Sequence, residues 1–214
     1  MAQEQVTEGV RQCTAEDLAD WYFRLNGFLT TRNYILHSDT DSAPRTDADI
    51  VGVRFPFRRE LDYEDDQRFL RQGNKPLFVI GEVKRSECKL NGPWTNPQKK
   101  NLHYLLNAIG VAVGPQLDRM AEDLYTRYEY DDQHLRVEMA VIGSRPNEEF
   151  LKATHAPSQW LFSEMLSFIY KRFNRYWLQK KEHQNWNDAG KFLYKEAVEE
   201  SDEGSFIRKI LQVI

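Results

Sequence analysis

A short apolar run that ends in two charged residues constrains the fold of this chain more than any other feature. Residues 77–80 read Leu-Phe-Val-Ile, and residues 81–84 continue as Gly-Glu-Val-Lys. A continuous apolar run of this length is typical of a strand that is buried on both faces of a sheet. Because side chains alternate along a strand, Glu82 and Lys84 lie on one face and Val83 lies on the other. The segment therefore predicts a buried strand whose end carries a carboxylate beside an ammonium group.

This pair of charges has two interpretations. A carboxylate and an ammonium group on one face of a strand end are suited to a site that holds a metal ion and a water. The alternative is a strand end that emerges into solvent with an ordinary salt pair, and a Glu-x-Lys motif alone favours that alternative because it is common. The choice depends on what the rest of the chain places beside Glu82.

The composition is that of a folded globular protein. The chain has 214 residues, of which 41% are hydrophobic and 29% are charged, and its net charge is -4. That charge excludes a non-specific polybasic coat but leaves room for a local basic groove. No apolar run approaches the roughly 20 residues of a membrane helix, and the N-terminal residues lack the pattern of a signal peptide. We therefore expect a cytoplasmic protein with no membrane partner, and with Cys13 and Cys88 reduced.

Three elements are predicted before the buried strand. Thr14 is a helix cap, and apolar residues follow it at helical spacing as far as Gly27. Residues 28–36 are rich in strand formers and predict a first strand. Residues 38–45 have the composition of a turn, and residues 50–55 predict a second strand.

Acidic residues occur where two of these elements begin. Glu16 lies in the first turn of the helix, where the helix dipole favours an acid. Asp47 and Asp49 share a face at the start of the second strand, where acids often cap a turn. Each acid therefore has a structural explanation beside a functional one, and the residues alone leave both open.

The rest of the chain predicts a mixture of helices and strands. Residues 56–75 form a long polar connection, typical of an insertion, a short helix or a substrate loop. Aromatic residues between positions 160 and 177 recur at helical spacing beside basic residues. This pattern favours a core-facing stripe with a solvated basic side, and a dimer face or a nucleic-acid surface are the alternatives. The remaining predicted elements are a helix over 97–110, a hairpin of strands 125–130 and 135–142, a helical segment from residue 156, and shorter helices at 188–199 and 205–213.

The order of these elements resembles the PD-(D/E)xK, or restriction-endonuclease-like, nuclease superfamily, and is closest in pattern to its small resolvase-like members. The resemblance covers roughly residues 14–110. It depends on a helical acid with an alanine three positions later, an aromatic pair, a Gly-aromatic at the helix end, acids before the second strand and a Glu-x-Lys at the end of the third. These residues are Glu16, Ala19, Tyr22, Phe23, Gly27, Phe28, Asn33, Asp47, Asp49, Glu82 and Lys84.

The resemblance implies an α/β fold with a restriction-endonuclease-like core. In that core the element order α-β-β-β-α-β builds a mixed central sheet flanked by helices. Residues 1–150 would form the nuclease core, and residues 151–214 would form a helical C-terminal extension packed on it.

The resemblance also implies Mg²⁺-dependent hydrolysis of phosphodiester bonds in DNA, with Mn²⁺ as a substitute ion, in restriction, repair or defence against foreign DNA. Carboxylate and carbonyl oxygens are the ligands that Mg²⁺ prefers. The lysine would orient the attacking water and stabilise developing charge, and the helical acid would hold a water or a second metal. The implied roles are metal binding for Asp49, Glu82, the Val83 carbonyl and Asp47, and catalysis for Asp49, Glu82, Lys84 and Glu16.

DNA is the implied partner, together with a homodimer or a larger defence or repair complex. Four basic residues follow the third strand or open the next helix, and they are candidate DNA contacts or else ordinary solvated side chains. A nuclease acting on RNA is one alternative. A catalytically silent subunit that keeps the fold and binds nucleic acid or protein is another, favoured by the acidic composition and opposed by the intact set of acids and lysine. The four basic residues are Arg85, Lys89, Lys99 and Lys100.

Overall fold

The computed structural model describes residues 12–37, 44–58, 64–70 and 73–214. Within these ranges it shows one mixed sheet of six strands with helices on both faces. The strands are β1 Leu29–His37, β2 Pro44–Arg54, β3 Leu77–Val83, β4 Glu129–Asp131, β5 Arg136–Gly143 and β6 Ser158–Leu161. The helices are α1 Ala15–Leu25, α2 Gln67–Leu70, α3 Gly92–Thr95, α4 Asn101–Ala108, α5 Gly114–Arg127, α6 Glu148–Lys152, α7 Phe162–Arg175, α8 Trp177–Lys180, α9 Asp188–Glu199 and α10 Glu203–Val213.

The strand order in the sheet is β1-β2-β3-β5-β4. The first three strands are antiparallel, and β5 is parallel to β3. On β5, residues 136–138 pair with β4 in antiparallel fashion, and residues 140–143 pair with β6 in parallel. Because β3, β5 and β6 are parallel, their carboxyl ends lie at one end of the sheet, and β2 begins at that end.

Helix α1 begins and ends where the sequence predicts. Thr14 and Asp17 form a capping box, in which each side chain accepts a hydrogen bond from the other residue's backbone N–H. Gly27 follows the helix with φ 80°, a left-handed conformation that costs glycine little. The helix packs against β1, β2 and β3, as well as α7 and α9. Glu16, in its first turn, is thereby brought over the sheet.

Two apolar clusters hold the layers together. One lies between the sheet and the helices α1, α7, α9 and α10, and includes Phe23 and Phe173. The other lies on the opposite face, beneath α3, α4 and α5, and includes Trp94, Leu105 and Met120. These side chains are fully or almost fully buried, and each such burial contributes about 1.5–3 kcal/mol to folding.

The general α/β class with a mixed sheet, the presence of the first three strands and the last two helices are confirmed. β2 begins at Pro44, earlier than predicted, so Asp47 and Asp49 lie within the strand and not at its start. The polar connection contains α2, which is one of the elements considered for it. Residues 38–43, which include most of the predicted turn, lie outside the described residues, as do residues 59–63 and 71–72 of the connection.

Three predicted elements differ from those in the structure. Residues 125–127 end helix α5, and the left-handed Tyr128 (φ 62°) separates them from the short strand β4. Residues 158–161 form strand β6 and not a helix, because they pair with β5. The helix predicted over 97–110 is divided at the left-handed Lys100 (φ 53°), so that a 3₁₀ turn precedes α4.

The C-terminal part of the chain contributes to the sheet as well as to the helices. β6 pairs with β5, while α7, α9 and α10 pack into the same apolar cluster as α1. The division of the chain at residue 150 stays a prediction. No helix in the described part of the chain combines the length and apolar composition needed to cross a membrane.

Candidate active site

Asp49 and Glu82 lie next to each other on neighbouring strands. Ile50 pairs with Gly81 in the antiparallel register, which places Asp49 opposite Glu82. The Asp49 carboxylate accepts a hydrogen bond of 2.7 Å from the backbone N–H of Val83. The strand β3 therefore presents Glu82 and a backbone donor to the acid that β2 supplies.

Glu82 is a buried carboxylate with a donor at each oxygen. Only 3% of the residue is exposed. Its Oε1 accepts a hydrogen bond from the Lys84 ammonium group, with which it forms an ion pair. Its Oε2 accepts a hydrogen bond of 3.0 Å from the indole N–H of Trp94. As the alternation along β3 predicts, Lys84 and Glu82 are on the same side of the strand.

Burial and like charge act on both carboxyl groups. Burial raises the pKa of Glu82 from 4.5 to about 7, with a further contribution from Asp49, although Lys84 and Trp94 oppose the rise. Burial also raises the pKa of Asp49, against the effect of the Val83 N–H and Lys84. The charges of Asp47 and Glu16 add to that rise. Charged groups thus surround Asp49 at this end of β2 and β3, where Glu16, Asp47 and Lys84 act on it and Asp49 acts in turn on Glu82.

The two outer acids occupy different surroundings. Glu16 is half-buried in the first turn of α1, whereas Asp47 is exposed on β2. Asp47 pairs with Ile35 of β1, two positions before Asp49 on the same strand. Both acids are close enough to influence Asp49, and neither takes part in the Glu82 contacts.

The donor set suits a hard divalent cation. Carboxylates on adjacent strands supply the oxygens that Mg²⁺ and Mn²⁺ prefer. Within the described ranges, no group of three or more His, Cys, Asp and Glu side chains is arranged to hold a metal ion. A carboxylate oxygen has two lone pairs, so the hydrogen bonds that Asp49 and Glu82 accept leave capacity for an ion. The residues present therefore fit such an ion through two carboxylates, and the Val83 carbonyl and Asp47 stay predicted ligands.

The predicted DNA contacts all lie at the surface. Arg85, Lys89, Lys99 and Lys100 are exposed. An open groove of about 830 Å³ runs past Lys84 and Lys89 and is also lined by Arg145, while Glu148 and Glu149 lie along it. The groove begins where β3 and β5 end, and Lys84, which lines it, connects it to Glu82.

Sequence reasoning missed Trp94 and Arg145. Trp94 lies 12 positions after Glu82, in α3, so no local sequence pattern connects it to the Glu-x-Lys motif. The one available signal was that a buried indole N–H needs an acceptor. Arg145 follows β5, where residues 87 and 145 form a parallel bridge that extends the β3–β5 pairing. Its place beside Lys89 depends on that bridge.

The aromatic stripe of the C-terminal helices is mostly core. Trp160, in β6, and Phe173, in α7, are buried, which confirms the core-facing part of the favoured interpretation, whereas Arg172 on the basic side is buried too. Two arginines of the basic side form ion pairs, Arg172 with Asp65 and Arg175 with Glu64. Trp177 is 51% exposed beyond the end of α7.

Comparison of the chain with family models, with curated proteins and with solved structures found no match. Two carboxylates can share a cation, and the Lys84 ammonium group can stabilise negative charge beside them.

Proposed function

We propose that the protein is a metal-dependent nuclease of the PD-(D/E)xK type, with a restriction-endonuclease-like core, that hydrolyses phosphodiester bonds of DNA. The observation that carries the proposal is that Asp49 and Glu82 lie opposite each other on adjacent strands, and that the Lys84 ammonium group donates a hydrogen bond to the Glu82 carboxylate. The order of one helix, three antiparallel strands and a following parallel strand supports the fold assignment.

Each residue of the site has a role in this proposal. Asp49 and Glu82 bind Mg²⁺, or Mn²⁺ in its place. When bound, the ion supplies charge neutralisation on the phosphate and lowers the pKa of a water. Lys84 orients the attacking water and stabilises the negative charge that develops on the phosphate. Glu16, half-buried above the sheet, holds a further water.

The substrate contacts are proposed to lie along the groove beyond β3. Lys89 and Arg145 contact phosphates on one side of the acids, and Lys99 and Lys100 contact them from the turn before α4. Each neutralised phosphate makes the logarithm of the binding constant fall by about 0.9 per tenfold rise in salt. The proposed biological role is restriction, repair or defence against foreign DNA. The proposed assembly is a homodimer or a larger complex.

The proposal is tested by cleavage of plasmid DNA, single-stranded DNA and RNA in Mg²⁺ and in Mn²⁺. We expect Lys84→Ala to lower the cleavage rate by about 100-fold or more, since one lost donor to developing charge has effects of that size. The matched control is Lys195→Ala, which removes a lysine of α9 that also pairs with a glutamate, Glu199. Equal cutting by wild type and Lys84→Ala would point to a contaminating enzyme and contradict the proposal.

A second candidate is a catalytically silent subunit that keeps the fold and binds nucleic acid or protein. The observation that favours it is the commitment of both Glu82 oxygens, and one Asp49 oxygen, to donors of the chain itself. Under this alternative, binding is retained while no substrate is cut in either ion. Preferential cleavage of RNA in the same assay would instead keep the nuclease and change its substrate.

A further inference from the structure

Among the residues that the structure describes, two donate hydrogen bonds to the Glu82 side chain: Lys84, two positions along the chain, and Trp94, which comes from a separate element, α3. Its indole N–H donates to Glu82 Oε2 at 3.0 Å, and the two residues are 2% and 3% exposed. The indole N–H is only a donor, so it requires an acceptor in this buried place. Because Lys84 occupies Oε1, the indole fixes which oxygen of Glu82 faces the lysine.

Trp94 lies in the short helix α3, and α3 is held in place by a contact that does not involve β3. The side-chain amide of Asn101, itself 2% exposed, donates to the backbone carbonyl of Pro93 at 3.1 Å. The Trp94 ring packs in the apolar cluster beneath α4, which includes Leu102 and Leu105. The position of the indole is therefore determined by the start of α4.

We propose that Trp94 is a positioning residue for the metal site, which holds the Glu82 carboxylate in the orientation that binds the ion. This inference rests on the proposed function, because it takes Glu82 as a metal ligand. Without the indole N–H, Oε2 is left buried without its donor, and the carboxylate rotates about its side-chain torsions toward other donors. Outer partners of metal ligands affect metal affinity or activity by about 10- to 100-fold.

The test compares two buried tryptophans that each donate one side-chain hydrogen bond. Trp94→Phe removes the donor to Glu82 and keeps an aromatic ring in the cluster. Trp21→Phe is the matched control, since the Trp21 indole donates to Asn187 Oδ1 at 2.9 Å, away from the site. Calorimetric titration with Mg²⁺ should show affinity at least about tenfold lower in Trp94→Phe and unchanged in Trp21→Phe. Cleavage rates should follow the same order.

A spectroscopic readout separates positioning from mere packing. The indole N–H signal of Trp94 in ¹H–¹⁵N spectra, assigned through bonds, should move upfield in Glu82→Gln, because a neutral amide accepts a weaker hydrogen bond than a carboxylate. The same signal should move when Mg²⁺ is added to wild type. The Trp21 signal should stay in place in both experiments. These shifts need no folded Trp94→Phe protein.

The outcomes distinguish the inference from the nuclease proposal. If Trp94→Phe binds Mg²⁺ and cleaves DNA as well as the wild type does, the positioning role is overturned and the nuclease proposal is unaffected. The same holds if the indole N–H signal of Trp94 does not move in Glu82→Gln. Weakened Mg²⁺ binding in Trp94→Phe, in a protein that cuts no substrate, would support the positioning role and overturn the nuclease. Failure of the wild-type protein to bind Mg²⁺ would overturn both.

Discussion

At the scale of single residues, Glu82 shows what burial does to an acid. The carboxyl group is enclosed by Trp94 and Lys84, and it lies beside Asp49. Loss of water is the largest cause of its raised pKa, and the neighbouring carboxylate adds to it. The ionised group therefore costs stability that a bound cation would recover.

The first prediction concerns the pH dependence of stability without divalent ions. A folded pKa of about 7, against 4.5 in the unfolded chain, means that the folded state binds more protons between these pH values. Glu82 therefore has its full stabilising effect below pH 4.5, and that effect is lost as the pH rises through about 7. The pKa difference corresponds to roughly 3 kcal/mol.

We expect the difference in unfolding free energy between Glu82→Gln and wild type to shift in favour of the variant by about this amount from pH 4.5 to pH 8. Urea unfolding at several pH values, in the presence of a chelator, measures it. Glu149→Gln, on the exposed side of α6, is the control and should keep the wild-type profile. Parallel profiles for Glu82→Gln and wild type would show that the Glu82 pKa is not raised.

At the scale of elements, helices α1 and α9 approach each other closely at one glycine. A Cβ atom built on Gly190 would lie 1.9 Å from Cζ2 of the buried Trp21 ring. Asn187, the cap of α9, accepts hydrogen bonds from both the Trp21 indole and the Gly190 backbone. The absence of a side chain at position 190 is therefore what lets the two helices pack.

The second prediction follows from this contact. Gly190→Ala should lower the free energy of unfolding by about 1–3 kcal/mol, because overpacking against a buried ring exceeds the gain in helix propensity. Gly204→Ala in α10 is the matched control, since its neighbours are the ends of the Asp202 and Arg208 side chains at 3.2 and 3.3 Å. We expect the control to be neutral or slightly stabilising. Denaturant unfolding of both variants measures the difference, and equal stabilities would contradict the close approach.

Some element boundaries are encoded by the local sequence, and others depend on strand pairing. Thr14 and Gly27 delimit α1 because the cap and the left-handed glycine act within a few residues of the helix. In contrast, Trp160 belongs to an apolar pattern that suits a helix, and it lies in β6 because β5 offers a partner. A short apolar run has no periodicity that distinguishes the two.

At the scale of the whole molecule, the site joins the layers of the fold. β2 and β3 supply Asp49 and Glu82, α1 supplies Glu16, and the α3–α4 segment supplies Trp94. Because these elements meet only in the folded state, an ion bound there stabilises folding by mass action.

The third prediction is that Mg²⁺ or Mn²⁺ raises the melting temperature. At 100 times the dissociation constant, binding adds about 2.7 kcal/mol, which is roughly 5–10 °C for a chain of this length. Asp49→Asn should abolish the rise while its amide oxygen still accepts from the Val83 N–H. Asp118→Asn, at a side chain that is 74% exposed on α5, is the control and should keep the rise. A melting temperature indifferent to both ions would argue strongly against the metal site.

The sequence alone determined the buried strand with Glu82 and Lys84 on one face, the capped helix α1 and the short set of candidate acids. These features depend on alternation, helical spacing and capping, which are encoded within a few neighbouring residues. Only the tertiary structure decided that Asp49 faces Glu82, that Trp94 holds its second oxygen and that β6 joins the sheet. Those contacts join segments that are distant along the chain, and burial, which raises the pKa of Glu82, exists only when all the layers have packed.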